Sequence, residues 1–171
     1  MYAPLNRFVL AAALAAGALL AWPAHATTSG GTFQVNATVV SACTVSGTVL
    51  SFGGAIDPLS SAVPLDASST LSVQCTNTTP YAISLNAGTH AGGASNFGAR
   101  AMTSGGNSLA YQLYVDSARS SVWGDGTGAS ATSSGAGTGG TQAIPIYGRI
   151  SSLSGVVPGS YTDTVTVTIT Y

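Results

Sequence analysis

Few side chains in this 171-residue sequence carry the chemistry of catalysis or ligation. Beyond residue 26 there are two cysteines, Cys43 and Cys75, one histidine, His90, and five acids, Asp57, Asp66, Asp116, Asp125 and Asp163; Lys and Glu are absent. A Ser-His-Asp hydrolytic site needs an imidazole oriented by a carboxylate and aimed at a hydroxyl. His90 lies in Asn86-Ala-Gly-Thr-His-Ala-Gly-Gly, a glycine-bearing stretch that predicts a solvated loop, and no G-x-S-x-G elbow occurs. Glycoside hydrolysis by paired Asp and Glu lacks its Glu. Two sulfurs offer too few ligands for a structural zinc. No catalytic, cofactor-binding or metal-binding residue is expected.

Three other motifs invite a chemical reading and have a simpler one. Gly124-Asp125-Gly126-Thr127-Gly128 has the glycines of a phosphate-cradling loop but neither the following helix nor the Lys, and predicts a turn. Asn36-Ala-Thr38 and Asn77-Thr-Thr79 match the N-glycosylation acceptor, a pattern short enough to arise by chance. Tyr111, Tyr114, Trp123, Tyr147 and Tyr161 are expected in the core or on sheet surfaces rather than as a sugar-binding platform.

Residues 1–26 have the form of an export signal. Arg7 is the charge of a short n-region, Phe8 to Leu20 form the apolar stretch, and Pro23-Ala24-His25-Ala26 ends in a small-x-small cleavage pattern. A bilayer span needs about 20 apolar residues, and Pro23 and His25 interrupt this run, so no membrane span is expected after cleavage. Export carries Cys43 and Cys75 into an oxidising compartment, where they are expected to pair. Three arginines against five aspartates leave the remaining chain with no basic patch for nucleic acid or anionic lipid. Absence of Lys and Glu also removes the usual formers of helix surfaces, which favours an all-β class.

The elements follow from period-2 alternation. Phe33, Val35, Ala37 and Val39 alternate with polar residues and predict an N-terminal strand with one apolar face. Cys43 to Phe52 is extended, but Cys43 and Val45 share one parity and Leu50 and Phe52 the other, which places a bulge at Gly47. Thr70 to Thr76 and Tyr81 to Ala87 predict a hairpin turned by Asn77-Thr-Thr-Pro80. Ala99 to Met102 predicts a short strand and Leu109 to Val115 a longer one, with Ser117 to Trp123 pairing nearby. Gly124 to Thr141, with seven glycines, predicts a flexible loop. Gln142 to Ile150 predicts a strand that Pro145 confines to an edge or bulge.

The last stretch, Tyr161 to Tyr171, organises the rest. Tyr161, Val165, Val167, Ile169 and Tyr171 share one face, and Thr164, Thr166, Thr168 and Thr170 the other. So apolar a strand belongs inside a sheet, yet no later strand follows to cover its far edge. The N-terminal strand of another copy is the expected cover, which makes the chain a polymer subunit rather than an enzyme. Together these features predict a single incomplete immunoglobulin-like β-sandwich with one disulfide, completed by an N-terminal donor strand. Its segments are a signal peptide, 1–26, a donor segment, 27–40, and the sandwich, 41–171.

Phe33-x-Val35-x-Ala37, Leu50-Ser-Phe52-Gly53, Val73-x-Cys75, Leu109-x-Tyr111-x-Leu113-Tyr114-x-Asp116, Trp123-Gly-Asp-Gly126, Ile146-Tyr-Gly148-Arg-Ile150 and Pro158-Gly-x-Tyr161-x-Asp163 are dispersed over nearly all of residues 32–171. In this pattern the chain resembles the spore coat protein U domain family, which includes the pilins of archaic chaperone-usher pili. The resemblance implies a secreted subunit capped first by a periplasmic chaperone, passed to an outer-membrane usher, and then joined to other copies or related pilins in a surface fimbrium that supports attachment or biofilm formation. It also implies that Phe33, Val35, Ala37 and Val39 form the donor face, Cys43 and Cys75 the disulfide, and the strand from Tyr161 to Tyr171 an edge of the acceptor groove. A spore or cyst coat protein is the alternative within the same family. A secreted enzyme or carbohydrate-binding module is the alternative outside it.

Overall fold

A computed structural model describes residues 25–171. The expected signal peptide lies outside the described residues but for His25 and Ala26. The chain divides into two units, 1–37 and 38–171. In the first, residues 25–37 belong to no strand, and Phe33 and Val35 are 87% and 82% exposed. The strand expected over residues 32–39 is therefore absent: alternation supplies a face, but a strand also needs a neighbour for its backbone groups.

Among the described residues the second unit has nine strands: β1 (Cys43–Gly47), β2 (Leu65–Cys75), β3 (Pro80–Leu85), β4 (Ala101–Ser104), β5 (Asn107–Ala110), β6 (Gln112–Tyr114), β7 (Ser133–Ala136), β8 (Thr141–Ile150) and β9 (Val167–Thr170). Two antiparallel sheets, ordered β1-β2-β8-β6 and β7-β3-β9, face each other, and β4 and β5 form a separate hairpin. The class is all-β, as expected. Alternate residues of both sheets meet in one core: Leu71 and Val73 of β2 and Ile146 and Ile150 of β8 pack in a cluster with Tyr81, Ile83 and Leu85 of β3 and the fully buried Trp123. The Trp123 indole N–H donates to the Ile83 carbonyl at 3.0 Å, so its polar atom is satisfied inside the core.

Cys43 and Cys75 are bonded. They stand opposite each other at the first rung of the β1–β2 ladder, which continues without interruption to Gly47 opposite Leu71. Gly47 is thus no bulge. The phase change occurs because the chain leaves the sheet after Gly47, and Leu50 and Phe52 turn inward over Gly148.

Three further expectations are corrected. β2 and β3 are not a hairpin: they lie in opposite sheets, because Cys75 and Tyr81 must both face the core from the two sides of it. The expected strand from Leu109 to Val115 splits at Tyr111, whose N–H bonds the Arg100 carbonyl; β5 pairs with β4, while β6 pairs with β8. The expected flexible loop from Gly124 to Thr141 contains β7, laddered to β3 from Pro80 opposite Ala136 to Ile83 opposite Ser133. Its small residues serve close approach. A Cβ on Gly135 would lie 2.6 Å from the Tyr81 hydroxyl oxygen, and one on Gly137 would collide with Cys75 and the Thr76 carbonyl. Pro145 stands opposite Thr70 of β2; β8 is an inner strand of its sheet rather than an edge, but β6 pairs only with Tyr147 to Arg149, so among the described residues one flank is in no ladder at Pro145.

Candidate functional site: an apolar groove beside an unpaired strand edge

β1 and β9 are edge strands of the two sheets, and they lie beside each other. Where residues 48–54 leave the first sheet, a groove of about 1080 Å³ opens between that segment and residues 156–167. Its lining includes Leu50, Phe52, Leu71, Leu85, Leu109, Tyr111, Leu113, Ile146, Ile150, Val165 and Val167, so the groove reaches the main hydrophobic core.

Only Val167–Thr170 of the stretch from Tyr161 to Tyr171 belongs to a ladder, with Leu85 opposite Val167, Ile83 opposite Ile169 and Ala82 opposite Thr170. Residues 161–170 still alternate strictly between half-buried and exposed, with Tyr161, Val165, Val167 and Ile169 on the inner side; Tyr171 is 55% exposed. The inner flank of residues 161–166 is held by other means. Thr162 exchanges backbone bonds with Thr103 at 2.9 and 3.1 Å. The Thr166 carbonyl accepts from the Asn86 N–H at 3.0 Å, and the Thr166 N–H donates to Asn86 Oδ1 at 2.8 Å. By strand alternation the backbone groups of Asp163, Val165 and Val167 turn toward the other flank. Among the described residues no strand pairs with that flank.

Asp163 anchors the stretch from its side chain. Its carboxylate is 2% exposed; Oδ1 accepts from the Thr89 N–H at 3.0 Å, the Thr89 hydroxyl at 2.6 Å and His90 Nδ1 at 3.0 Å, and Oδ2 accepts from the Tyr111 hydroxyl at 2.6 Å. Burial pushes this carboxyl up, but the bonds from Thr89, Tyr111 and His90 outweigh it and hold the group below its ordinary value. Burial and the adjacent carboxylate push the Tyr111 phenol well up. Gly88 has φ +95°, and a Cβ there would strike the Asp163 carboxylate, so the loop can wrap the acid only with glycine at that position.

His90 is an exposed loop residue, as expected, but its ring contacts were not foreseen. Nδ1 faces Asp163 and Nε2 lies 3.1 Å from the Thr103 hydroxyl, so both ring nitrogens are engaged in holding the loop. Arg100 was also missed. It is 1% exposed, donates to Gln112 Oε1 and to the Asn86 and Trp123 carbonyls at 2.7 to 2.8 Å, and stacks on Phe97 with 5.2 Å to the ring centroid. Neither role has a sequence signal, because each depends on carbonyls and acids brought from distant segments. No group of three or more metal-ligating side chains occurs among the described residues.

Of the residues expected to form a site, the structure joins Cys43 to Cys75 and sets Val165 and Val167 on the groove; Ile169 continues the same face into the core cluster. Phe33, Val35 and Val39 are 87%, 82% and 88% exposed, and Ala37 is exposed.

An all-β domain of two facing sheets, stapled by one disulfide and open along one strand edge, is the class that these observations define. The Spore Coat Protein U domain model matches residues 29–168, and the chain belongs to that family. It is 34% identical over 175 residues to Protein U of Myxococcus xanthus, across 95% of this chain and 96% of that protein. Among solved structures it is similar to a chain in the CsuC–CsuE chaperone–tip adhesion subunit pre-assembly complex from archaic chaperone-usher Csu pili of Acinetobacter baumannii. That match has a TM-score of 0.57 and 26% identity over 78% of this chain, and spans 40% of the solved chain.

Proposed function

We propose that the chain is a secreted structural subunit of a surface pilus, assembled by donor-strand exchange through a chaperone-usher pathway and supporting attachment or biofilm formation. The observation that carries this reading is the groove beside the unpaired edge of residues 161–167, lined by side chains of the hydrophobic core. Its occupant is the N-terminal segment of another copy or a related pilin. From Phe33 to Val39 and from Tyr161 to Val167 there are seven residues each, about 23 Å of extended chain, so the donor matches the open edge in length. Phe33, Val35, Ala37 and Val39 would place alternate side chains in the groove while their backbone completes the ladder. Burying each large apolar side chain stabilises the contact by about 1.5 to 3 kcal/mol.

Donor and groove are different surfaces, so the contact is heterologous and propagates into a filament instead of closing a pair. A periplasmic chaperone covers the groove in transit and an outer-membrane usher passes the subunit to the cell surface; similarity to a chain of a chaperone–subunit complex supports this route. Export by residues 1–26 supplies the oxidising compartment that the disulfide requires.

Electron microscopy of the producing cells tests the reading: surface fibres are present with the gene, absent without it, and absent when Val35→Asp or Val39→Asp puts a charge on the donor face. Wild-type fibre levels in those variants would contradict it.

The second reading is a structural protein of a spore or cyst coat. It is favoured by the near end-to-end similarity to Protein U and by the family's own description. Labelling that decorates an outer coat layer, with no fibres, selects this reading.

A further inference from the structure

The Asp163 carboxylate accepts from four donors, and it stands on the stretch that borders the groove with its side chain only 2% exposed. Its four donors come from two places distant in sequence, the loop bearing Thr89 and His90 and the core position Tyr111. The same loop supplies Asn86, which bonds the backbone of Thr166 through both its N–H and its Oδ1. Residues 161–166 therefore have no ladder of their own; they are held extended by a loop folded around one buried acid, with Thr103 and Thr162 as a single bridge.

This arrangement matters because an incoming strand must find consecutive N–H and C=O groups at strand spacing on the open flank. A segment free to flex would lose that order on its own, and ordering it costs about 1 to 2 kcal/mol per residue. We propose that Asp163 is the positioning residue of the groove: by gathering Thr89, His90 and Tyr111 it fixes the inner flank of residues 161–166 and presents their outer backbone edge, preformed, to a docking strand. The Asp163 carboxylate acts through Thr89, His90 and Tyr111, while its backbone is part of the edge that a docking strand would meet. The inference rests on the donor-strand reading above and names the residue on which that site depends. Titratable and charged groups close to Asp163 are His90 on the loop, Tyr111 in the core and Arg100 beyond it, and Tyr111 and His90 bond it directly.

The test is a titration of the purified full chain with a labelled peptide of residues 32–40, read as affinity per folded molecule, alongside amide hydrogen exchange. In Asp163→Asn the peptide is expected to bind about tenfold more weakly, as the loss of hydrogen bonds to a buried charged group implies. Exchange at Thr164 and Thr166 accelerates, while β2 and β8 stay protected. A residue that only stabilised the fold would change the folded fraction and leave affinity per folded molecule alone. Tyr111→Phe, which keeps the ring and removes one donor, gives a weaker shift in the same direction and serves if Asp163→Asn does not fold. Asp66→Asn, which breaks the exposed pair with Arg149, leaves affinity unchanged. Unchanged affinity in both Asp163→Asn and Tyr111→Phe overturns the inference while the donor-strand reading stands. Failure of the wild-type chain to bind the peptide overturns both.

Discussion

Leu85 stands opposite Val167 across the β3–β9 ladder, and among the described residues no strand is hydrogen-bonded to the other side of Val167. The last strand is consequently half of a pairing. Its side chains already reach the core, so the hydrophobic part of a sandwich edge is in place while the outer backbone flank is in no ladder among the described residues.

The disulfide fixes the root of β1. Cys43 and Cys75 form the first rung of the β1–β2 ladder, and reduction frees a closed loop of about 33 residues. The chain-entropy argument gives about 3 to 4 kcal/mol lost on reduction. Urea denaturation with and without reductant measures it; coincident midpoints would contradict the expectation.

Acid should weaken the domain over a defined window. A carboxylate whose folded pKa is depressed contributes stability that is present above its unfolded value, about 3.9, and is lost as pH falls through the folded value. Asp163 is such a group, as are the exposed Asp57, Asp66 and Asp125 and the half-buried Asp116. Tyr111 works from the other side: its raised pKa gives stability that is present below about pH 10 and lost as pH rises through the folded value. The denaturation midpoint is therefore flat from about pH 5 to about pH 9, falls in acid below that range and falls in alkali as pH passes about 10, with a shallower acid limb in Asp163→Asn. Chemical denaturation as a function of pH checks this.

Gly137 passes against the Cys75 and Thr76 carbonyls and the Cβ of the disulfide-bonded Cys75, backbone and tethered atoms rather than flexible side-chain ends. Gly137→Val should lower stability by about 1 to 3 kcal/mol through overpacking. A change within about 0.5 kcal/mol, the usual range for exposed positions, would show that the turn yields without cost.

The fold class, the disulfide partners and the inner face of the last stretch were legible because each is local. Alternation at Val165, Val167 and Ile169 needs no knowledge of neighbours, and two cysteines behind a sequence with the form of an export signal have one way to pair. What failed depended on which sheet a strand joins. Leu71, Val73, Tyr81 and Ile83 have the alternation of a hairpin whether the turn between them stays in one sheet or crosses the core, so periodicity could not separate the two. Residues 133–136 have the composition of a linker, yet β7 uses that smallness to pass over Tyr81. His90 and Asp163 are 73 residues apart, and their contact exists only once β3, β4 and the last strand are assembled.

The central claim is that residues 32–40 of one copy lie beside the open edge of another. It is tested most directly by mixing two single variants, Val35→Cys and Val165→Cys, during assembly and oxidising the product. The account predicts a disulfide-linked pair containing one chain of each variant, lost on reduction. No linked pair in the mixture, together with a linkage closed within a single chain when both substitutions are placed in one copy, would contradict it.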